Sequence, residues 1–170
     1  MRGYLEGVPL YLSGTVRNEA GEPIVGAKVD IWHSNDEGYY DLQKLEERSE
    51  LAGRGRFLSQ SDGSFRAWTV RPAYPIRNDG PVGKMLDAQG RHPFRPEHVH
   101  YMITAPGYRR LVTHLFAQGD KYLTSDVVFG VKSSLIRNYE PREGGTAPDG
   151  KAMDGKWLEL HHDFVLAHVA

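Results

Sequence analysis

Runs in which every second residue is apolar, each closed by a cluster of glycine, proline or asparagine, are the feature that most limits what this chain can fold into. Pro9 to Val16 alternates in this way, and in Ala27 to Trp32 the residues Ala27, Val29 and Ile31 share one face. A period of two is the period of a β-strand, whose side chains point alternately to opposite sides of a sheet. The turn Asn18-Glu19-Ala20-Gly21 joins these two runs and predicts a hairpin-like pair. A second hairpin is expected from Gly55 to Ser59, the turn Ser61-Asp62-Gly63, and Ser64 to Val70. A third follows from His98 to Thr104, Ala105-Pro106-Gly107-Tyr108, and Leu111 to Phe116, and Trp157 to Leu166 returns as a last strand or hairpin. Successive strands of this kind predict an all-β fold, a β-sandwich, and 170 residues fit a single domain.

The exceptions to alternation are few. Leu42 to Leu51 is charged and reads as a short solvated helix, Val127 to Leu135 as a short helix or strand, and Glu140 to Gly150 as an exposed loop. Arg71 to Arg95 is a long loop rich in proline and glycine. Long ordered loops in compact domains tend to carry function, and this one runs into the third hairpin.

Charge narrows the partners. A net charge of -1 with pI near 6.7 leaves no basic surplus, so neither nucleic acid nor an anionic membrane is expected as a partner. With no cysteine there is no disulfide scaffold. No run of about 18 apolar residues could span a bilayer. Met1 to Leu12 lacks the apolar core of a signal peptide, which makes a cytoplasmic protein acting on small molecules the expectation.

The chemistry concentrates at Arg95-Pro96-Glu97-His98-Val99-His100. On a strand the two imidazoles of His98 and His100 face the same way, which is half of a metal site; read alone, they are as readily two surface histidines on an edge strand. Zinc would want cysteine, further histidine or a carboxylate. Tyrosine is the more abundant candidate, with nine in the chain, and two lie in unusual surroundings: one in Gly38-Tyr39-Tyr40-Asp41 and one in Pro72-Ala73-Tyr74-Pro75. Tyr40 also reads as a core aromatic. A set of two histidines and two tyrosines would select Fe(III), because anionic phenolate oxygen is hard and neutralises much of the ferric charge.

The string Gly90 to His100, preceded by Tyr74-Pro75-Ile76 and Asp79-Gly80-Pro81-Val82-Gly83, resembles the intradiol ring-cleavage dioxygenases. So does Ala27 to Trp32 running into Asp36-Glu37-Gly38-Tyr39-Tyr40, and the similarity extends from about Leu12 to Leu166. The resemblance implies a β-sandwich with long active-site loops, and Tyr40, Tyr74, His98 and His100 as ligands of Fe(3+). It implies a catecholic substrate, catechol or hydroxyquinol, cleaved by O2 between the two hydroxyl-bearing carbons to a cis,cis-muconate or maleylacetate-type product. Tyr74 would be the ligand that leaves the metal when substrate binds; Arg95, the positive group nearest the ligands in sequence, reads as the group that stabilises negative charge on the substrate or as one arm of a structural salt bridge. His114 stands where catechol-type relatives carry glutamine, and with Ile76 it is expected to touch the substrate. The Tyr74-Pro75-Ile76 and Val128-Phe129-Gly130-Val131-Lys132 stretches look most like the hydroxyquinol branch. Long family members carry a helical segment ahead of this domain that dimerises and lines the pocket. This chain starts almost at the first sandwich strand, which implies a more open mouth and shallow substrate selectivity. Two rival readings stand beside this one: a non-catalytic prealbumin-like sandwich module, which explains the first 32 residues equally well, and a zinc hydrolase with a carboxylate ligand.

Overall fold

The computed structural model describes residues 1, 3, 5–44, 50–73 and 80–169. Two five-stranded sheets face each other across one apolar core. In the first, β1 (Pro9–Asn18) is central, with β4 (Ser64–Val70) antiparallel on one side, Pro9 opposite Val70 and Thr15 opposite Ser64. On its other side β1 pairs in parallel with β9 (Lys156–His161) and then with β10 (Phe164–Leu166). Beyond β9 lies β8 (Glu140–Glu143), antiparallel to it. The second sheet runs β3 (Arg54–Leu58), β2 (Lys28–Trp32), β5 (His98–Thr104), β6 (Leu111–Ala117), β7 (Ile136–Arg137).

The step from β9 to β10 depends on Gly14. A β-carbon there would lie 1.8 Å from the carbonyl oxygen of His162, so only glycine lets the crossing backbone this close. His162 N–H donates to the Ser13 carbonyl at 3.0 Å. The Asp163 carboxylate then accepts from both the backbone N–H and the hydroxyl of Thr15, each at 2.8 Å. β9 and β10 are therefore successive partners of one strand and not the two arms of a hairpin.

Alternation sets which residues form the core. Val29 and Ile31 of β2, Val99, Tyr101 and Ile103 of β5, and Leu10, Leu12 and Val16 of β1 are buried together with Phe65, Leu160 and Phe164. Each buried aliphatic side chain contributes about 1.5–3 kcal/mol relative to exposure. Since odd-numbered residues of β2 and β5 point inward, Asp30, Trp32, His98, His100 and Met102 must point to the outer face of the second sheet.

The third expected hairpin forms as read, with His98 opposite Phe116 and Ile103 opposite Leu111. The first two do not. After the Asn18 turn, whose side-chain oxygen accepts from the N–H groups of Ala20 and Glu22, the chain makes one bridge at Pro23 and crosses to the other sheet. β3 and β4 likewise belong to different sheets. Turn residues specify a reversal, but the sheet joined afterwards depends on which apolar face must be covered.

The long Arg71 to Arg95 loop contains α1 (Pro81–Ala88), which starts on proline and buries Gly83 and Leu86. Within Leu42 to Leu51 a short 3-10 turn covers Asp41–Lys44, and residues 45–49 lie outside the described residues. Val127 to Leu135 contains only the 3-10 turn Ser133–Leu135. In the expected exposed loop, Glu140–Glu143 is a strand, exposed but paired, and Ala147 is buried against Tyr11 and Trp157.

Candidate metal and substrate site

The outer face of the second sheet gathers the predicted residues. β5 is interior to that sheet, which corrects the edge-strand reading, and the loops over it leave His98 only 2% exposed although it points away from the core. The Nδ1–H of His98 donates to the Pro96 carbonyl at 2.6 Å, which fixes the ring and makes Nε2 the unprotonated nitrogen, the acceptor that Arg95 Nη1 faces. His98 Nε2 lies 3.1 Å from His100 Nε2. His100 is stacked flat on Trp32, ring centroids 4.9 Å apart and planes 1° from parallel.

Tyr40 arrives from the loop after β2. Asn35 organises that loop: its side-chain oxygen accepts from the N–H groups of Glu37 and Tyr39, and Gly38 takes a left-handed conformation, φ 89°, that favours glycine. The next residue, Asp41, is clamped by two bonds from Arg54 of β3. So held, the Tyr40 hydroxyl lies 3.1 Å from His100 Nε2.

Three donor atoms thus converge from one strand, β5, and a loop. At metal–donor bonds of about 2.1 Å, ligands at right angles stand about 3 Å apart, the spacing seen between these atoms. Protonation agrees. Burial, reinforced by His114 and Arg95, lowers the His100 pKa to about 3, and burial with His100 and Arg95 beside it holds His98 well below the ordinary imidazole range. Both rings are neutral near pH 7 and present lone pairs. Burial raises the Tyr40 phenol to about 12, so its proton leaves at neutral pH only if a cation replaces it. Two imidazoles and a phenol oxygen fit a transition metal. Among the described residues no cluster of three or more His, Asp or Glu side chains is placed to hold a metal.

Arg95 and His114 complete the group. Arg95 is 8% exposed, and its Nη1 lies 3.1 Å from His98 Nε2. His114 sits directly opposite His100 on β6. Tyr74 and Ile76 lie outside the described residues.

Three contributors were not read from the sequence. In the sequence Trp32 is the end of a strand, and its period-two spacing puts it on the histidine face. Asp126 forms a bidentate pair with Arg95. Its spacing to Val128 and Gly130 marks an aspartate-led turn, but nothing local links it to an arginine 31 residues away. Gly130 packs against that pair.

A two-sheet sandwich bearing a His-x-His pair, a tyrosine and a buried arginine on one outer sheet face defines a candidate metalloenzyme domain. Residues 1–168 match the family model Dioxygenase_C, described as Dioxygenase, and the chain belongs to that family. It is 50% identical over 163 residues to the 6-chlorohydroxyquinol 1,2-dioxygenase of Cupriavidus pinatubonensis, a match covering 95% of this chain and 54% of the relative. It is 44% identical over 167 residues to the hydroxyquinol 1,2-dioxygenase of Nocardioides simplex, covering 97% of this chain and 56% of the relative. The crystal structure of catechol 1,2-dioxygenase from Pseudomonas arvilla C-1 superimposes with a TM-score of 0.91 at 34% identity, over 99% of this chain and 55% of that one. The chain spans about half the length of the curated relatives it matches. No helix among the described residues is long and apolar enough to cross a membrane.

Proposed function

We propose that residues 1–170 form a single catalytic sandwich of a non-haem Fe(3+) dioxygenase. It cleaves a catecholic ring with O2 between the hydroxyl-bearing carbons, taking catechol or hydroxyquinol to a cis,cis-muconate or maleylacetate-type product. The observation that carries this reading is the convergence of the Tyr40 oxygen and the His98 nitrogen, each 3.1 Å from His100 Nε2, beside a buried arginine. Support also comes from family membership and from relatives named for hydroxyquinol and chlorohydroxyquinol. A non-catalytic module has no need of this convergence, and a zinc hydrolase calls for a carboxylate donor.

Tyr40, Tyr74, His98 and His100 are the proposed ligands. Bound there, ferric iron supplies the Lewis acidity and the one-electron chemistry that make a catecholate ring reactive toward O2. The residues do the rest. His98 and His100 stay neutral and fixed, one by the Pro96 carbonyl and the other by the Trp32 ring. Tyr40 holds its phenolate oxygen toward His100, and the phenolate of Tyr74 takes a proton from a substrate hydroxyl. Arg95 Nη1 donates to the oxygen on which negative charge develops, an effect strengthened by exclusion of water. His114 and Ile76 contact the ring, His114 through Nε2. Small-molecule substrate and O2 are the only partners this chemistry requires.

The test is metal analysis of the purified protein, its visible spectrum, and oxygen uptake with hydroxyquinol and catechol. Iron, a broad visible band and oxygen consumed with one or both substrates are expected. A colourless zinc protein that consumes no oxygen with either would overturn the reading.

A further inference from the structure

Asp126 lies outside the set of residues that would touch metal or substrate, yet it controls the geometry of one that does. Its carboxylate accepts from Arg95 Nε at 3.0 Å on Oδ1 and from Arg95 Nη2 at 3.2 Å on Oδ2. The backbone holds the same carboxylate in turn: Gly130 N–H donates to Oδ2 at 2.8 Å and Val128 N–H to Oδ1 at 3.3 Å. Orientation therefore passes from the 126–130 turn to the carboxylate and from the carboxylate to the guanidinium. With Nε and Nη2 committed, Nη1 is the nitrogen that faces His98 Nε2, at 3.1 Å. Gly130 closes the other side. A β-carbon there would stand 2.9 Å from Arg95 Nη2 and 3.2 Å from Asp126 Oδ2, so any larger residue pushes on the pair.

Stability alone is a weak reason for such an arrangement. A buried ion pair roughly breaks even against apolar residues of the same volume, because both charges are stripped of water. A planar fork gripped on two nitrogens does fix direction, and direction is what a group aimed at developing charge needs.

We propose that Asp126 is a positioning residue: by gripping Nε and Nη2 of Arg95, within a cradle closed by Gly130, it aims Nη1 at the ligand side of His98, where a bound catecholate gathers negative charge. The catalytic consequence rests on the function proposed above; the aiming itself does not.

The experiment is a double-mutant cycle on the iron-loaded protein with Arg95→Ala, Asp126→Asn and the double variant, together with Gly130→Ala. Arg95→Ala is expected to lower kcat by roughly 100-fold to 1,000-fold. Asp126→Asn should lower it by up to roughly 100-fold, the scale of a misaimed group, and the double variant should be no slower than Arg95→Ala alone. Gly130→Ala leaves both charges in place and should slow turnover while iron content and colour stay the same, which covers the case in which Asp126→Asn fails to fold. A readout free of catalysis is the Arg95 Nε–H resonance in nitrogen-15-labelled protein. It should exchange slowly in the wild type, broaden into the exchanging pool in Asp126→Asn, and shift in Gly130→Ala. Additive losses in the cycle, or a turnover and an Arg95 resonance untouched by Asp126→Asn and Gly130→Ala, would overturn the proposal. If the wild type consumes no oxygen with catecholic substrates, the proposed function fails by itself, and the resonance still decides whether Asp126 aims Arg95.

Discussion

His114 lies directly across from His100 in the antiparallel β5–β6 pair, and its buried Nε2 has no hydrogen-bond partner among the described residues. The two rings stand 5.4 Å apart at 71°, and His98 is 5.6 Å away, so the orphan nitrogen belongs to the same outer-face cluster as the candidate ligands. Burial, with Arg95 nearby, lowers the His114 pKa, so the ring is neutral near pH 7. An unpaired buried polar atom costs stability unless something else satisfies it, and here a ring hydroxyl of substrate is the natural candidate.

Replacing His114 tests this directly. His114→Leu keeps the volume but offers no polar atom, and kcat/KM for hydroxyquinol is expected to fall roughly 3-fold to 10-fold, the worth of one neutral hydrogen bond. His114→Gln should hold most of the wild-type value. Equal values for leucine, glutamine and histidine would remove His114 from the substrate contacts.

Arg95→Ala separates metal binding from turnover. Iron content and visible colour should be those of the wild type, because Arg95 acts on substrate charge, whereas the rate should drop roughly 100-fold to 1,000-fold. Loss of iron in this variant would instead make Arg95 part of the metal-holding framework.

Iron uptake should release protons. The Tyr40 phenol, raised to about 12 by burial, is protonated at neutral pH and must give up that proton to act as a ligand. Apparent iron affinity therefore rises with pH across the neutral range, and Tyr40→Phe should both flatten that rise and weaken the tyrosinate-to-iron visible band. The check is competitive titration against a chelator at pH 6 through 8, about one ferric ion per chain being expected at saturation. A pH-independent affinity in the wild type would exclude Tyr40 as a phenolate ligand.

Acid should destabilise the fold through His33. This residue is buried, pairs with the Thr69 hydroxyl and the Ser34 carbonyl, and burial lowers its pKa to about 4. The unfolded chain, with an ordinary pKa near 6.5, binds the proton first, so stability is full above about pH 6.5 and falls as pH drops toward 4. The shift corresponds to about 3 kcal/mol. Urea unfolding of the metal-free protein between pH 4 and 7, compared with His33→Gln, isolates the contribution: the variant should lose the His33 share of the slope, while His98, His100 and His114, whose pKa values burial also lowers, keep the remainder.

Gly14→Ala should be among the most damaging small substitutions in the molecule. Its new methyl group would lie 1.8 Å from the His162 carbonyl oxygen, so the β1–β9–β10 crossing has to open. A loss above roughly 3 kcal/mol is expected, against the 0.5–3 kcal/mol typical of single changes. Thermal or urea unfolding measures it, and a near-neutral result would mean the crossing backbone yields without losing its hydrogen bonds.

What the sequence determined by itself were the features with short periods. Alternation in Pro9 to Val16, Ala27 to Trp32 and His98 to Ile103 is enough to call strands and a sandwich, because one buried face with period two leaves little freedom of register. The same periodicity put His98 and His100 on one face, and the Gly38 turn marked where Tyr40 leaves the sheet. Tertiary structure alone decided which sheet each strand joined. The first two apparent hairpins separate into opposite layers because a turn encodes a reversal and not a destination. It also decided that Asp126 grips Arg95 across 31 residues, that His114 faces His100, that Gly14 admits no side chain, and that one at Gly130 would push on the Arg95–Asp126 pair. These relationships arise from close approach between segments distant in the chain, and a local pattern carries no information about which distant atoms packing will bring within hydrogen-bonding distance.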